Sequence, residues 1–105
     1  MNNPSIENIY KKIGLNIKRA RERKNPYVTQ EKLSKSIKMS RTSIVNIEQG
    51  YQRVLLHTLY EIASFLNIHI SELLPDINEN ETIEIIKSSN NLSMESVNKA
   101  ISSIR

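Results

Sequence analysis

The chain has 105 residues, 38% of them hydrophobic and 25% charged, which is typical of one small globular domain with extensions. It contains no cysteine, which excludes disulfides and cysteine-based metal or catalytic sites. No apolar run exceeds three residues, which excludes a membrane span and a secretion signal, so we expect a cytoplasmic protein.

The charge is divided unevenly between the two halves of the chain. Residues 1–53 carry 12 Lys and Arg against 4 Asp and Glu, a net charge of +8. Residues 54–105 carry 3 against 7, a net charge of −4, and the two halves give the formal charge of +4. A basic half favours a polyanionic partner, because neutralising phosphates releases counterions.

The first predicted element is an amphipathic helix over residues 6–24, with Ser5 as its candidate N-cap. The apolar stripe consists of Ile6, Ile9, Tyr10, Ile13, Ile17 and Ala20. The opposite face carries Lys11, Lys12, Lys18, Arg19 and Arg23. Asn25-Pro26 should end the helix, because the residue before a proline is disfavoured in the helical region.

Three later helix starts share a hydrophobic staple, in which apolar residues five apart flank a hydroxyl cap. The three sets are Val28-Thr29 with Leu33, Met39-Ser40 with Ile44, and Leu92-Ser93 with Val97. They predict short helices over about residues 30–37, 41–49 and 94–104. The first two are separated by a three-residue turn of the length found in helix-turn-helix motifs, and Gly50 suits the end of the second.

A further helix is predicted over about residues 56–67, and Ser71 is the candidate cap of a one-turn helix that Pro75 ends. The apolar stripe of the longer helix is Leu56, Leu59, Ile62, Ala63 and Leu66. Residues 76–81 are polar and resemble a linker. The sequence therefore predicts an all-α fold with a domain over residues 1–75 and a helical tail over residues 76–105.

The helix predicted at residues 41–49 has an unusual polar face. Ile44 and Ile47, with Leu33 and Ile37 of the preceding helix, should anchor it on the core. The outward side chains are then Arg41, Thr42, Val45, Asn46 and Gln49. Such groups suit the DNA major groove, where Arg pairs with guanine and Asn with adenine. The alternative is a capped surface helix that binds nothing.

These residues resemble the Cro and lambda-type repressor family, often called the xenobiotic-response-element class. The resemblance covers residues 13–75 and lies in "TQEKLSKSIKMSRTSIVNIEQG" and "LHTLYEIASFLNIHISELLP". It implies a five-helix domain that binds double-stranded DNA. By position, Arg41, Thr42 and Asn46 resemble base-reading residues of this family. The positions that resemble contacts to the DNA backbone are Gln30, Ser40, Ser43, Tyr51, Gln52 and Arg53.

The resemblance also implies a structural pair, Arg21 with Glu48, which could instead be a solvated pair of little value. The sequence departs from the family pattern in three places. Lys38 stands where the family usually has glycine, residues 25–27 lengthen the first loop, and Leu55 replaces a hydroxyl cap. These departures affect the turn, the placement of Gln30 and the start of the fourth helix, respectively.

The tail carries an apolar stripe, although the five predicted helices before it already resemble a complete DNA-binding domain. Its members, Ile83, Ile86, Val97, Ile101 and Ile104, are candidates for a dimer interface. We expect a homodimer on a palindromic operator, because one module reads few base pairs. The family resemblance favours a repressor over an activator. The alternatives are a tail folded back on its own domain, and an antitoxin or adaptor whose tail binds a partner protein while DNA binding serves autoregulation.

An enzyme is not expected from this sequence. Two glycines in the chain exclude a glycine-rich phosphate loop, and no Ser/His/Asp arrangement is evident. His57 and His69 lie on different predicted elements without a third ligand, so neither a metal nor a cofactor is expected.

Overall fold

The computed structural model describes residues 4–76 and residue 86. The helices are α1 (Pro4–Glu22), α2 (Gln30–Ser36), α3 (Arg41–Gln49) and α4 (Leu56–Leu66), followed by a 3-10 turn at Ile70–Glu72. The predicted all-α class is confirmed within these residues, although the fifth helix is a single 3-10 turn. Asn8–Pro75 form one compact unit.

Helix α1 begins and ends two residues earlier than predicted. Ser5 lies inside the helix and is not its cap, because Pro4 occupies the first position, where a missing N–H costs nothing. The carbonyl of Arg21 accepts N–H groups from Val28 (3.1 Å) and Lys24 (3.4 Å). The chain therefore turns toward α2 before Asn25 and Pro26 can act as the stop.

The predicted starts of α2 and α3 are confirmed. The Thr29 hydroxyl accepts the backbone N–H of Lys32 at 3.0 Å, and the Ser40 hydroxyl accepts that of Ser43 at 3.0 Å. The staple of α2 is buried on both sides, and in the staple of α3 Met39 is partly buried while Ile44 is fully buried. These local contacts fix where the two helices begin.

Three helices end in the same way, with one left-handed residue closing a Schellman motif. After α2, α3 and α4 these residues are Lys38 (φ 57°), Gly50 (φ 81°) and Asn67 (φ 55°). The paired hydrogen bonds run from Met39 to Ser34 and from Lys38 to Lys35, with equivalent pairs at the other two ends. The lysine therefore leaves the turn unchanged and takes up the left-handed conformation that the family gives to glycine.

Helix α4 has Leu55 at its N-cap without a side-chain cap, and Leu56 is exposed. The prediction of Leu56 as a core residue is wrong, because the buried face runs through Thr58 and Leu59. Leu56 lies one turn before Tyr60, on the solvent side with it. The rest of the predicted stripe is buried.

The prediction of Ser71 as a cap is also wrong. The turn begins at Ile70, because the Glu72 carboxylate accepts the backbone N–H of His69 at 3.3 Å. Leu73 follows it and is fully buried, and its carbonyl accepts a hydrogen bond from the Asn16 side chain at 3.2 Å. The turn is thereby attached to α1.

Predictions for the tail fall mostly outside the described residues. The helix over residues 94–104 and the candidates Ile83, Val97, Ile101 and Ile104 lie there, whereas Ile86 is helical and half-buried. Among the described helices, none is long and apolar enough to cross a membrane.

Candidate nucleic-acid interface

Helix α3 is anchored by one face and presents the other to solvent. Ile44 and Ile47 are 1% and 2% exposed and belong to the same core as Leu33 and Ile37. On the opposite face Arg41, Thr42 and Gln49 are exposed, and Val45 and Asn46 are half-buried. The orientation of α3 is therefore the one that the sequence predicted.

Arg41 and Asn46 keep their side-chain hydrogen-bonding groups available. Within residues 4–76, neither side chain forms a hydrogen bond or an ion pair with another protein group. The backbone carbonyl of Asn46 accepts the N–H groups of Tyr51 (2.9 Å) and Gln52 (3.3 Å). Asn46 thus holds the following loop through its backbone while its amide stays open to a ligand.

Ser40 and Ser43 form a local pair at the start of α3. The Ser40 hydroxyl accepts the Ser43 N–H and donates its own proton to the Ser43 hydroxyl oxygen at 3.0 Å. The hydroxyl proton of Ser43 is left to donate outward. Ser40 is therefore a cap first, and Ser43 is the better donor to an anion.

The pair implied by the family resemblance, Arg21 with Glu48, is present and buried. Arg21 Nε donates to Glu48 Oε2 at 2.8 Å and Nη2 to Oε1 at 2.9 Å, and the two side chains are 6% and 3% exposed. Arg21 Nη1 also donates to the carbonyl of Val28 at 2.9 Å. The two bonds to Glu48 are bidentate and join α1 to the last turn of α3. The bond to Val28 joins α1 to the residue before the N-cap of α2.

The Glu48 carboxylate raises the pKa of Arg21 above its ordinary value, because it accepts the guanidinium N–H bonds. Burial acts in the opposite direction and is outweighed, and the negative charge of Glu48 adds to the increase. Arg21 therefore remains protonated at every pH at which a DNA duplex is stable.

Gln30 forms a hydrogen bond with the Glu48 carboxylate of this buried pair. Its Nε2 donates to Glu48 Oε1 at 3.0 Å, and the residue is half-buried at the first position of α2. A carboxylate only accepts, so the amide nitrogen of Gln30 must face Glu48. The other amide N–H and the amide oxygen of Gln30 form no hydrogen bond within residues 4–76, and three helices meet at the Glu48 carboxylate.

An open groove of about 460 Å³ adjoins this network, and Gln30 and Arg41 both line it. Two further lining residues, Lys18 of α1 and Tyr27 of the long first loop, carry a cation and an exposed phenol. The sequence pattern predicts no role for Tyr27, and it places Lys18 only on the basic face of α1. Glu22 and Glu31 also line the groove, which limits its net positive charge.

The loop after α3 holds the remaining predicted backbone contacts. Tyr51 is 78% exposed and therefore does not pack on the core edge, and Gln52 is half-buried. The guanidinium carbon of Arg53 lies 5.4 Å from the centre of the Tyr10 ring. This cation–π contact with α1 could not be read from the sequence.

Gly14 is a further residue whose role was not predicted from the sequence. A Cβ there would overlap the carbonyl oxygen of Ile47 and lie 2.7 Å from that of Glu48. Helix α1 can therefore approach the end of α3 only because this position lacks a side chain. A glycine at the middle of an amphipathic helix is the available signal, since it often marks such a close approach.

His57 and His69 are both exposed. Among the described residues, no group of His, Asp and Glu has the arrangement of a metal site.

Comparisons with known proteins identify the same region. The helix-turn-helix family HTH_3 matches residues 17–73. The chain is similar to the crystal structure of the restriction-modification controller protein C.AhdI from Aeromonas hydrophila, with 25% sequence identity and a TM-score of 0.57. That match covers 62% of this chain and 96% of C.AhdI. No match was found among the curated proteins.

Proposed function

Because the chain belongs to the Cro/C1-type helix-turn-helix family of DNA-binding transcriptional regulators, we propose that it is a repressor. In this proposal it binds a palindromic operator as a homodimer. The observation that carries the proposal is the outer face of α3, where side chains suited to base edges stand opposite a fully buried anchor.

We assign base reading to Arg41, Thr42 and Asn46. The first two lie in the first turn of α3 and are exposed, so they can enter a major groove ahead of the rest of the helix. A guanidinium can pair bidentately with guanine, an amide with adenine, and the threonine methyl can contact thymine. The absence of competing partners within residues 4–76 supports this role for Arg41 and Asn46.

We assign contacts with the DNA backbone to the residues around α3. Gln30, Ser43 and Arg53 each retain a donor that no described residue uses. Ser40, Tyr51 and Gln52 complete the set in the cap and the loop. Contacts to phosphates fix the register of the helix in the groove and do not select the sequence.

A single α3 helix contacts only a few base pairs, which is the physical reason for proposing a dimer. Two copies on a two-fold axis would place their α3 helices about 34 Å apart, one turn of DNA. A dimer seated in this way covers its operator and excludes other proteins from it, which is repression by occupancy.

The proposal is tested by selecting bound sequences from a pool of random duplexes, with the mass of the protein measured in solution. We expect a two-fold symmetric consensus and the mass of two chains. A triple variant, Arg41→Ala, Thr42→Ala and Asn46→Ala, is the matched control and should select no consensus while still binding DNA. A reporter gene placed behind the consensus should be expressed less when the protein is present.

An asymmetric consensus bound by a single chain would contradict the dimer, and increased reporter expression would contradict repression. If the wild-type protein enriches no sequence at all, the assignment of base reading to α3 fails.

A further inference from the structure

Arg53 lies against an aromatic ring. Its guanidinium carbon lies 5.4 Å from the centre of the Tyr10 ring, within the range of about 6 Å for a cation–π interaction. In the described part of the chain no acidic group forms an ion pair with Arg53. The ring is therefore the contact that orients this cation.

The ring itself has a fixed position relative to the loop after α3. Tyr10 is partly buried and packs against the core, and Gly14 lies one helical turn later on the same side of α1. Gly14 permits backbone contact with the last turn of α3, and Lys11 packs against Gly50. Two close approaches thus hold this stretch of α1 beside the loop that contains Arg53.

We propose that Tyr10 is a positioning residue for DNA binding, which orients the Arg53 guanidinium toward the phosphate backbone. The inference rests on the proposed function. A cation–π contact uses none of the guanidinium N–H groups for a hydrogen bond to a protein acceptor, so these groups remain available to phosphate oxygens. Holding the side chain before DNA arrives lowers the entropy lost on binding.

The test compares two substitutions at one position. Tyr10→Phe keeps the ring and removes only the hydroxyl, whereas Tyr10→Leu keeps apolar bulk and removes the ring. Binding to random-sequence duplexes is measured between about 50 and 200 mM salt. We expect Tyr10→Phe to match the wild type, and Tyr10→Leu to bind roughly two- to fivefold more weakly.

The salt dependence separates positioning from a loss of folding. Each phosphate contact contributes about 0.9 to the slope of log K against log salt, so Tyr10→Leu should flatten the slope toward that of Arg53→Ala. In the Arg53→Ala background, Tyr10→Leu should have no further effect on affinity. Thermal unfolding confirms that each variant is folded.

Equal affinities and slopes for Tyr10→Leu and the wild type would overturn the proposal. An unchanged loss in the Arg53→Ala background would also overturn it, because Tyr10 would then act independently of Arg53. If Arg53→Ala itself binds like the wild type while the selected consensus is still recognised, this inference fails and the proposed function stands. If the wild type binds no duplex, the proposed function fails first.

Discussion

At the scale of single residues, the Glu48 carboxylate links the three helices that form the candidate interface. It accepts two hydrogen bonds from Arg21 of α1 and one from Gln30 of α2, while it belongs to α3. A buried pair of this kind adds little net stability compared with apolar packing, but its loss on one side leaves a buried charge. We infer that its main contribution is to set the angle of α3 against the other two helices.

Replacing Arg21 with methionine should therefore cost about 3–5 kcal/mol of unfolding free energy, since Glu48 would be left charged in the core. The double variant Arg21→Met with Glu48→Leu is the matched control and should recover most of that loss. Urea denaturation measures both. If the single and double variants are equally destabilised, the energy lies in packing and not in the pair.

The pH dependence of this contribution follows from the raised pKa of Arg21. A group whose pKa is raised on folding stabilises the protein at every pH below its unfolded pKa, and the effect is lost only as the pH rises through the folded value. The contribution of Arg21 should therefore stay constant across neutral and mildly alkaline pH. A decline of the Arg21→Met effect between pH 7 and about pH 9 would contradict this.

For Gly14→Ala we expect an effect on stability opposite in sign to the one that helix propensity predicts. Glycine to alanine within a helix usually stabilises by about 0.5–1 kcal/mol. Here the new Cβ would meet two backbone carbonyl oxygens, so Gly14→Ala should destabilise by about 1–3 kcal/mol. Ser64→Ala on the exposed face of α4 is the control and should change stability by less than about 0.5 kcal/mol. A stabilised Gly14→Ala variant would mean that α1 and α3 are not in close contact.

At the scale of elements, the three Schellman ends form a natural comparison. The same left-handed position is filled by lysine after α2, by glycine after α3 and by asparagine after α4. A side chain with a Cβ pays a steric penalty in this conformation, and asparagine tolerates it better than lysine does. Of the three helix ends, the one between α2 and α3 therefore has the residue least suited to the left-handed conformation.

Lys38→Gly should stabilise the domain by about 1 kcal/mol, because it removes that steric penalty from an exposed side chain. Asn67→Gly tests the same conformation with a more tolerant residue and should give a smaller gain. Thermal unfolding of both variants against the wild type measures the difference. A destabilised Lys38→Gly variant would show that the lysine side chain contributes contacts that outweigh its backbone strain.

The helix starts and ends that depend on caps and turn residues were predicted well from the sequence. The caps at Thr29 and Ser40 and the glycine end at Gly50 depend on a few neighbouring residues, so the bounds of α3 were predicted without error. Two boundaries were missed although the contacts at them are close in sequence. The carbonyl of Arg21 accepts the N–H groups of Lys24 and Val28 at the end of α1, and the Glu72 carboxylate accepts the N–H of His69 at the start of the last turn. Leu56 was wrongly assigned to the buried stripe of α4. Spacings of three and four residues are both consistent with one helix face, so the sequence alone did not exclude Leu56 from it.

The candidate site shows the same division. The outward face of α3 follows from helical periodicity alone, and the Arg21–Glu48 pair followed from the family resemblance. The hydrogen bond from Gln30 to Glu48, the position of Tyr10 under Arg53 and the groove beside Lys18 and Tyr27 join residues on separate elements. Such contacts depend on tertiary packing, and a single sequence carries no signal for them.

At the scale of the whole molecule, the basic half of the sequence is also the half that contains the candidate interface. It includes α1, α2, α3 and the loop that follows α3, and residues 8–75 form one compact unit. General attraction to DNA should come from many of these cations. Selectivity should come from the few exposed side chains at the start of α3.

The most direct test of that division measures the affinity of Arg41→Ala and Arg53→Ala for the selected consensus and for random duplexes. We expect Arg41→Ala to lower the ratio of the two affinities by roughly 5- to 150-fold, equivalent to about 1–3 kcal/mol. We expect Arg53→Ala to leave the ratio unchanged while it weakens binding to both duplexes. Equal losses on both duplexes for Arg41→Ala would contradict base reading by α3.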